Sequence, residues 1–204
     1  MITVGLTGSI GMGKTVTAKM FQACGAAVFN ADVAVHALYA RGGAAVPILR
    51  AGLPDTIVNG AVDRAKLSEA LAQNPLLFGV LESFIHPLVA QMRAAAMADA
   101  KSRGVKIFID DVPLLFETGG DKRVDKTVVV TAPYAVQRDR VLARPNMSED
   151  KFKSILARQM PDAEKRRRAN FVVNSGAGLD AAREQVEKIV AQLLAAGETH
   201  DTTR

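Results

Sequence analysis

The chain has 204 residues, of which 49% are hydrophobic and 23% charged, enough apolar surface for one compact domain and too much for a disordered tail. Its single cysteine, Cys24, excludes an intramolecular disulfide framework and a cysteine-rich metal centre, and fits a reducing compartment. The net charge of +5 is concentrated in residues 138–168, where ten Lys and Arg stand against five Asp and Glu, so a phosphate-rich ligand and a nucleic acid both stay open as partners. Every long apolar stretch is broken by charge or glycine before the ~18 residues a spanning helix needs. Residues 1–6 read as a strand, with neither the basic flank nor the apolar core of an export signal. The expectation is a cytoplasmic protein with no membrane partner.

Residues 2–7 are an apolar, β-branched run that predicts the first strand, and residues 14–23 predict a helix punctuated by Gly25. Residues 26–30 predict a second strand ending at Asp32, and residues 34–39 the start of a helix weakened by Gly42-Gly43. Helices are expected over 63–73 and within 75–103, with Pro87 able to begin one of them. Leu81, Phe84, Ile85 and Leu88 are assigned to core, and the methionines to gap filling. Residues 105–109 form an apolar strand running into Asp110-Asp111, and residues 124–131 another of Val/Thr type. A helix after Pro133 carries Arg138, Arg140 and Arg144, a helix-capable segment spans 149–159, residues 171–173 make a last short strand, and 179–195 an amphipathic helix. Strands alternating with helices predict a mainly parallel sheet covered on both faces, a three-layer α/β/α architecture.

The most specific signal is Gly8-Ser9-Ile10-Gly11-Met12-Gly13-Lys14-Thr15, a full G-x-x-x-x-G-K-[ST] match set between a predicted strand and a predicted helix. Glycines let the backbone wrap a polyphosphate, and successive N–H groups with the helix N-terminus supply positive charge. Lys14 adds a full charge at the β- and γ-phosphates, and the Thr15 hydroxyl would coordinate Mg²⁺. The motif identifies a nucleoside triphosphate site. The chain lacks the N-K-x-D segment of guanine-specific switches and the length of most motors, which favours a small-molecule kinase.

Asp32, at the predicted carboxyl end of the second strand, reads either as a base for an acceptor hydroxyl or as a helix cap before Val33. Asp110 and Asp111 read as a carboxylate pair that closes a strand and reaches the metal through water, Asp111 being preferred, or as a capped solvated turn. Arg140 and Arg144, four apart, are expected on one helical face, as a clamp on triphosphate oxygens or as a solvated basic surface. The run Lys165-Arg166-Arg167-Arg168 reads as a solvated or anion-binding face, since no nucleic-acid module accompanies it. His86 reads as a pocket hydrogen-bond donor or a boundary histidine, and Cys24 as a small buried residue near a helix end.

In this order the segments resemble the dephospho-CoA kinase family over about residues 3–176. The likeness rests on the run from Gly5 to Thr15, on Asn30-Ala31-Asp32 followed by His36-Ala37-Leu38-Tyr39, and on Val62-Asp63-Arg64 leading to Leu67. It continues through Leu81-Glu82-Ser83-Phe84-Ile85-His86-Pro87-Leu88, Asp111-Val112-Pro113-Leu114-Leu115-Phe116-Glu117, and Gln159-Met160-Pro161 with Lys165. Thr15 stands where serine is frequent, Asp110 where an apolar residue is expected, and Asn170 where an acid usually follows the basic run.

The resemblance implies a P-loop kinase fold in three parts: a core of about residues 1–32, 104–138 and 169–195, a helical acceptor-binding insertion of about 33–103, and a lid of about 139–168. It implies ATP-dependent phosphorylation of the ribose 3′-hydroxyl of dephospho-CoA, the last step of coenzyme A synthesis. ATP contacts fall on Gly8, Gly11, Met12, Gly13, Lys14, Thr15, Val16, Arg140 and Arg144. The catalytic group is Asp32 as base with Lys14 and Arg140, and acceptor contacts fall on Asp32, Arg64, His86 and Pro87. Mg²⁺ is assigned to Thr15 and, through water, Asp111. Dephospho-CoA is the implied small-molecule partner; no nucleic acid or membrane is implied, and no oligomeric state is set.

Overall fold

The computed structural model describes residues 1–201, with side chains through residue 196. The chain divides into two compact units, one formed by Met1–Phe29 together with the chain from Ala100 onward, the other by Asn30–Asp99.

Seven strands are found among the described residues: β1 (Ile2–Thr7), β2 (Ala27–Asn30), β3 (Ile57–Val58), β4 (Ala61–Val62), β5 (Ile107–Asp111), β6 (Lys126–Thr131) and β7 (Phe171–Asn174). Five form one sheet in the order β2-β5-β1-β6-β7, in which β1 pairs in parallel with β5 and β6, and β6 with β7. Strands buried on both faces need unbroken apolar runs rather than alternation, and Val4, Leu6, Ile109, Val128, Val129 and Val130 are all fully buried. The chain leaves β1 toward β2 on one side and later returns to β6 and β7 on the other. The crevice at the carboxyl end of β1 is therefore the switch point where open α/β sheets bind ligands.

Two expectations about these strands change. Asp110 and Asp111 are the last two residues of β5 and lie buried in its ladder rather than in a solvated turn beyond it, because the ladder with β1 runs on through Leu6 opposite Asp111, and the Val112 N–H donates to the Leu6 carbonyl at 3.0 Å. The strand correspondingly starts later, since Val105 N donates back to Ala100 O at 3.0 Å and belongs to the preceding turn.

The helices are α1 (Lys14–Ala23), α2 (Ala31–Tyr39), α3 (Ala45–Gly52), α4 (Arg64–Gln73), α5 (Leu76–Ser102), α6 (Tyr134–Leu142), α7 (Glu149–Ala157), α8 (Asp162–Arg168) and α9 (Leu179–Asp201). In the first unit α1 packs against α9. Ala182, Val186, Ile189, Val190 and Leu193 form a stripe at helical spacing on α9 and join Ala18, Met20 and Phe21 of α1 in the core. Full burial of a side chain such as Phe21 contributes roughly 2 kcal/mol, enough to hold α1, and the loop before it, in place. Cys24 is the C-cap of α1 and half-buried, and burial pushes its thiol pKa up.

The second unit has its own core, with Leu38 of α2, Val46 and Leu49 of α3, Val62, Leu67 of α4 and Ile85 of α5. α2 begins at Ala31, earlier than expected, because the Asn30 side chain caps it, accepting from the Val33 N–H at 2.9 Å. Asp32 thus sits in the first helical turn and is neither strand end nor cap. β3 and β4 form a hairpin absent from the sequence reading; Asn59 and Gly60 take φ of 51° and 78° at its tip, the left-handed pair that an Asn-Gly two-residue turn supplies.

α5 runs unbroken through Pro87, so this proline begins no helix. Its missing N–H forfeits one helical bond. Packing of Leu81, Ile85, Leu88, Val89 and Met92 on the unit's core holds the turns on either side together. Phe84 was expected in that core; on α5 it falls off the Leu81, Ile85, Leu88 face and is 47% exposed.

Candidate functional site

The loop after β1 is built almost entirely from backbone. Met12 N–H turns back to Ser9 O at 3.2 Å, and Gly13 opens α1 at φ 87° with no side chain capping that end. First-turn N–H groups of a helix without a cap, with its dipole, are what an oxyanion binds. A Cβ on Gly8 would stand 2.7 Å from the Val130 carbonyl oxygen, and one on Gly11, at φ 79°, would stand 2.5 Å from Val141 Cγ2. The loop lies too close to β6 and α6 for any larger residue at either place.

Three neighbours hold its shape, and the sequence reading missed them as site residues. Gln137 of α6, 3% exposed, donates to Ile10 O at 2.7 Å. Gln159, after α7, accepts from Ile10 N at 3.1 Å, and Ser175 donates to Met12 O at 2.7 Å. No local signal marks them: Gln137, Gln159 and Ser175 become legible only through contacts more than a hundred residues apart. Met12 is itself buried, its sulfur accepting from Ala132 N at 3.1 Å, while Val16 is exposed.

Lys14 extends from the first position of α1 to Asp111, with which it forms a hydrogen-bonded ion pair. The partner follows from the sheet: β1 and β5 are in register at Leu6 and Asp111, so the loop leaving β1 passes over the end of β5. The Asp111 side chain is 1% exposed and that of Lys14 14%. Thr7 Oγ1 donates to Pro113 O at 2.9 Å, fixing the segment that follows Asp111. Thr15 is exposed on the first turn of α1.

Arg140 donates twice to Ser175, from Nη1 to Oγ at 2.8 Å and from Nη2 to the carbonyl at 2.9 Å. α6 ends at Leu142, so Arg144 lies past the C-cap Ala143 and the two arginines do not share a helical face as expected. The chain turns just before Pro145, which suits the disfavoured helical geometry ahead of a proline. Both arginines nevertheless line one cavity of about 260 Å³ beside the loop, with Gly13, Val16, Thr17 and Leu179. Guanidinium groups and aliphatic walls at the mouth of a phosphate loop can take a flat base and its phosphates together.

The basic run at the end of this segment keeps Arg166, Arg167 and Arg168 on the expected solvated face, and Lys165 alone departs from it. Lys165 has no exposed surface; its ammonium pairs with Glu117 at 2.9 Å. Glu117 also accepts from Met160 N at 2.8 Å. Burial alone raises the Glu117 carboxyl, but these hydrogen bonds and the Lys165 charge outweigh it and leave its pKa below the ordinary value. Arg166 binds Asp162 at 2.9 Å, Arg167 pairs with Glu164, and Arg168 reaches Asp121 at 3.3 Å while stacking 4.8 Å over Phe116. Asn170 accepts from Thr127 N at 2.8 Å, joining the starts of β6 and β7.

The remaining candidates lie in the second unit. Asp32 is exposed on the first turn of α2. Arg64, the first residue of α4, meets His36 of α2, Nη1 to Nε2, at 2.7 Å. His86 and Pro87 are exposed on α5, and His86 lies 3.8 Å from Glu82 one turn earlier.

No helix among the described residues is long and apolar enough to cross a membrane. The model of the dephospho-CoA kinase family matches residues 2–181. A dephospho-CoA kinase of Agrobacterium fabrum is 53% identical over 193 residues, covering 95% of this chain and 98% of that protein. A crystal structure from Thermus thermophilus, 30% identical, superposes with a TM-score of 0.79 over 94% of this chain and 96% of that one. A dephospho-CoA kinase from Campylobacter jejuni shares the fold at 21% identity, with a TM-score of 0.64 over 94% and 96% of the two chains. With a phosphate loop on the central strand of a parallel sheet, and a match over nearly its whole length, the chain belongs to the dephospho-CoA kinase family.

Proposed function

We propose that this chain transfers the γ-phosphoryl group of ATP to the ribose 3′-hydroxyl of dephospho-CoA, giving coenzyme A and ADP in the last step of coenzyme A synthesis, in the cytoplasm. The observation that carries the reading is Lys14 on an uncapped helix N-terminus after a glycine loop, in a chain whose family is defined by this reaction. In the reading, loop N–H groups and Lys14 hold the β- and γ-phosphates, with Gly8, Gly11, Met12, Gly13, Thr15 and Val16 around them. Arg140 and Arg144 bind from the cavity they line beside the loop. Charge stabilisation and positioning, rather than covalent chemistry by the protein, supply most of the rate in phosphoryl transfer.

Among the described residues no group of three or more His, Cys, Asp or Glu could hold a metal alone. The donor set suits Mg²⁺ carried with a nucleotide, since that ion keeps waters and phosphate oxygens and needs one or two protein ligands. Thr15 and, through water, Asp111 would hold it. When bound, it would offset the negative charge that develops on the phosphates during transfer.

Asp32 is assigned to accept the proton of the 3′-hydroxyl as the new O–P bond forms and the bond to the β,γ-bridging oxygen breaks. Arg64, His86 and Pro87 are assigned to the acceptor. The test is ADP release by the purified protein with MgATP, with and without dephospho-CoA, recording product mass. Acceptor-dependent ADP and a product heavier by one phosphoryl group are expected; ATP binding with neither signal rejects the acceptor. Asp32→Asn should depress turnover far more than ATP affinity, and unimpaired turnover in that variant removes Asp32 as the base.

A further inference from the structure

Arg64 opens α4 in an unusual electrostatic setting. It occupies the first helical position, where the partial positive charge of the helix end disfavours a cation. Its partner is no carboxylate but His36, with Nη1 2.7 Å from Nε2. Arginine has five N–H donors and no acceptor, so Nε2 must bring the lone pair, and His36 is the neutral tautomer with its proton on Nδ1. The neighbouring acid, Asp63, has one oxygen committed to the helix cap, accepting from Ala65 N at 2.9 Å and Lys66 N at 3.1 Å. Burial raises the pKa of Tyr39, one turn along α2 from His36, and the Arg64 charge offsets part of that rise.

Both side chains of the pair are exposed. An exposed arginine ordinarily samples many rotamers and keeps their entropy. Holding it by Nη1 costs that freedom and gains little stability at a surface. What the contact does achieve is orientation: the guanidinium is fixed by one corner, leaving its Nε–Nη2 edge, the edge that takes an oxyanion bidentately. A neutral anchor also leaves the full positive charge for a ligand, whereas Asp or Glu at position 36 would neutralise it and compete for the same donors.

We propose that His36 is a positioning residue, holding the Arg64 guanidinium through neutral Nε2 so that it receives the diphosphate oxygens of the acceptor. This rests on the reading of Arg64 as an acceptor contact. It assigns His36 no contact with the reacting atoms.

Steady-state kinetics on His36→Ala, His36→Gln, His36→Glu, Arg64→Ala and the His36→Ala/Arg64→Ala double variant test it, with thermal unfolding as a fold check. His36→Ala should raise the KM for dephospho-CoA about 5–10-fold, the scale of one typical hydrogen bond lost, leaving the KM for ATP as it was. His36→Gln, whose amide oxygen also accepts from Arg64, should restore most of the affinity, and His36→Glu should be at least as poor as His36→Ala. The double variant should be no worse than Arg64→Ala alone. If His36→Ala leaves the acceptor KM unchanged while Arg64→Ala raises it, or if the two effects simply add, the positioning role is overturned and Arg64 survives as a contact. If Arg64→Ala itself leaves the acceptor KM unchanged, the reading of Arg64 fails and this proposal with it.

Discussion

The phosphate loop, with its one lysine, and the basic segment at residues 138–168 both read as anion-binding in sequence, yet they are built in opposite ways. The loop is local: eight consecutive residues after β1 supply the bend, the free helix end and the lysine, with Asp111 delivered by strand register. The basic segment is distributed: Arg140 is held by Ser175, Lys165 is buried on Glu117, Arg168 is stacked on Phe116, and Arg144 lies beyond its helix. A site made of backbone is written in adjacent residues. A site made of long side chains is decided by partners far along the chain, and some of its charges turn out to be struts.

A loop lysine as dispensable as a strut would erase this difference. Lys14→Ala should lower kcat/KM by about 10³-fold, roughly 4 kcal/mol, the scale seen when a charge-stabilising donor is removed from a phosphoryl or acyl transfer site. Rapid-quench measurement of phosphoryl transfer would read it directly. A loss under tenfold would place Lys14 with the structural charges.

Lys165→Met should do the reverse, lowering stability before activity. It leaves Glu117 facing a void in its charge balance, at a cost of about 2–3 kcal/mol, reduced from the fully buried case because the Glu117 side chain keeps 17% of its surface exposed. In a chain of this length that is a fall in Tm of about 6–10 °C. Adding Glu117→Gln should recover part of the loss, since the amide oxygen can still accept from Met160 N. A variant with wild-type Tm and greatly reduced turnover would mark Lys165 as a ligand contact instead.

Gly8→Ala probes the backbone side with a smaller effect. Its φ needs no left-handed conformation, so the cost comes from packing alone: the new Cβ meets a β6 carbonyl at 2.7 Å and the strand end must shift, about 1–3 kcal/mol. ATP affinity, measured by titration calorimetry, should fall with it. If Gly8→Ala binds ATP normally, the loop has more slack than its contacts with β6 and α6 indicate.

The same contrast explains what was legible. Strand–loop–helix periodicity and a contiguous motif located β1, the loop and α1 at nearly their final bounds, and the alternation of elements yielded the parallel sheet. Three failures share a cause: the deciding energy was nonlocal. β1 carried the end of β5 on to Asp111, core packing carried α5 through Pro87, and Glu117 drew Lys165 inward. The others had local signals: Asn30 capping α2, Pro145 after the end of α6, and Asn59-Gly60 in the β3–β4 hairpin, hidden by strands of only two residues each.

The smallest expected effect isolates one strut by acidity. Glu117 has a folded pKa below its unfolded value of about 4.5, because Lys165 and the Met160 N–H outweigh the upward push of burial. A carboxylate depressed in the folded state binds fewer protons there than when unfolded. Its contribution is therefore complete above the unfolded pKa and lost as the pH falls through the folded one. Stability of the wild type, followed by urea unfolding from neutral pH into this acid range, should decline more steeply than that of Glu117→Gln, which has no proton to take up. The two curves should converge at the acid end, where the wild-type carboxyl is protonated and resembles the amide. Curves parallel throughout would mean that the Lys165 ion pair adds nothing beyond hydrogen bonding, and that the buried lysine is held by shape rather than by charge.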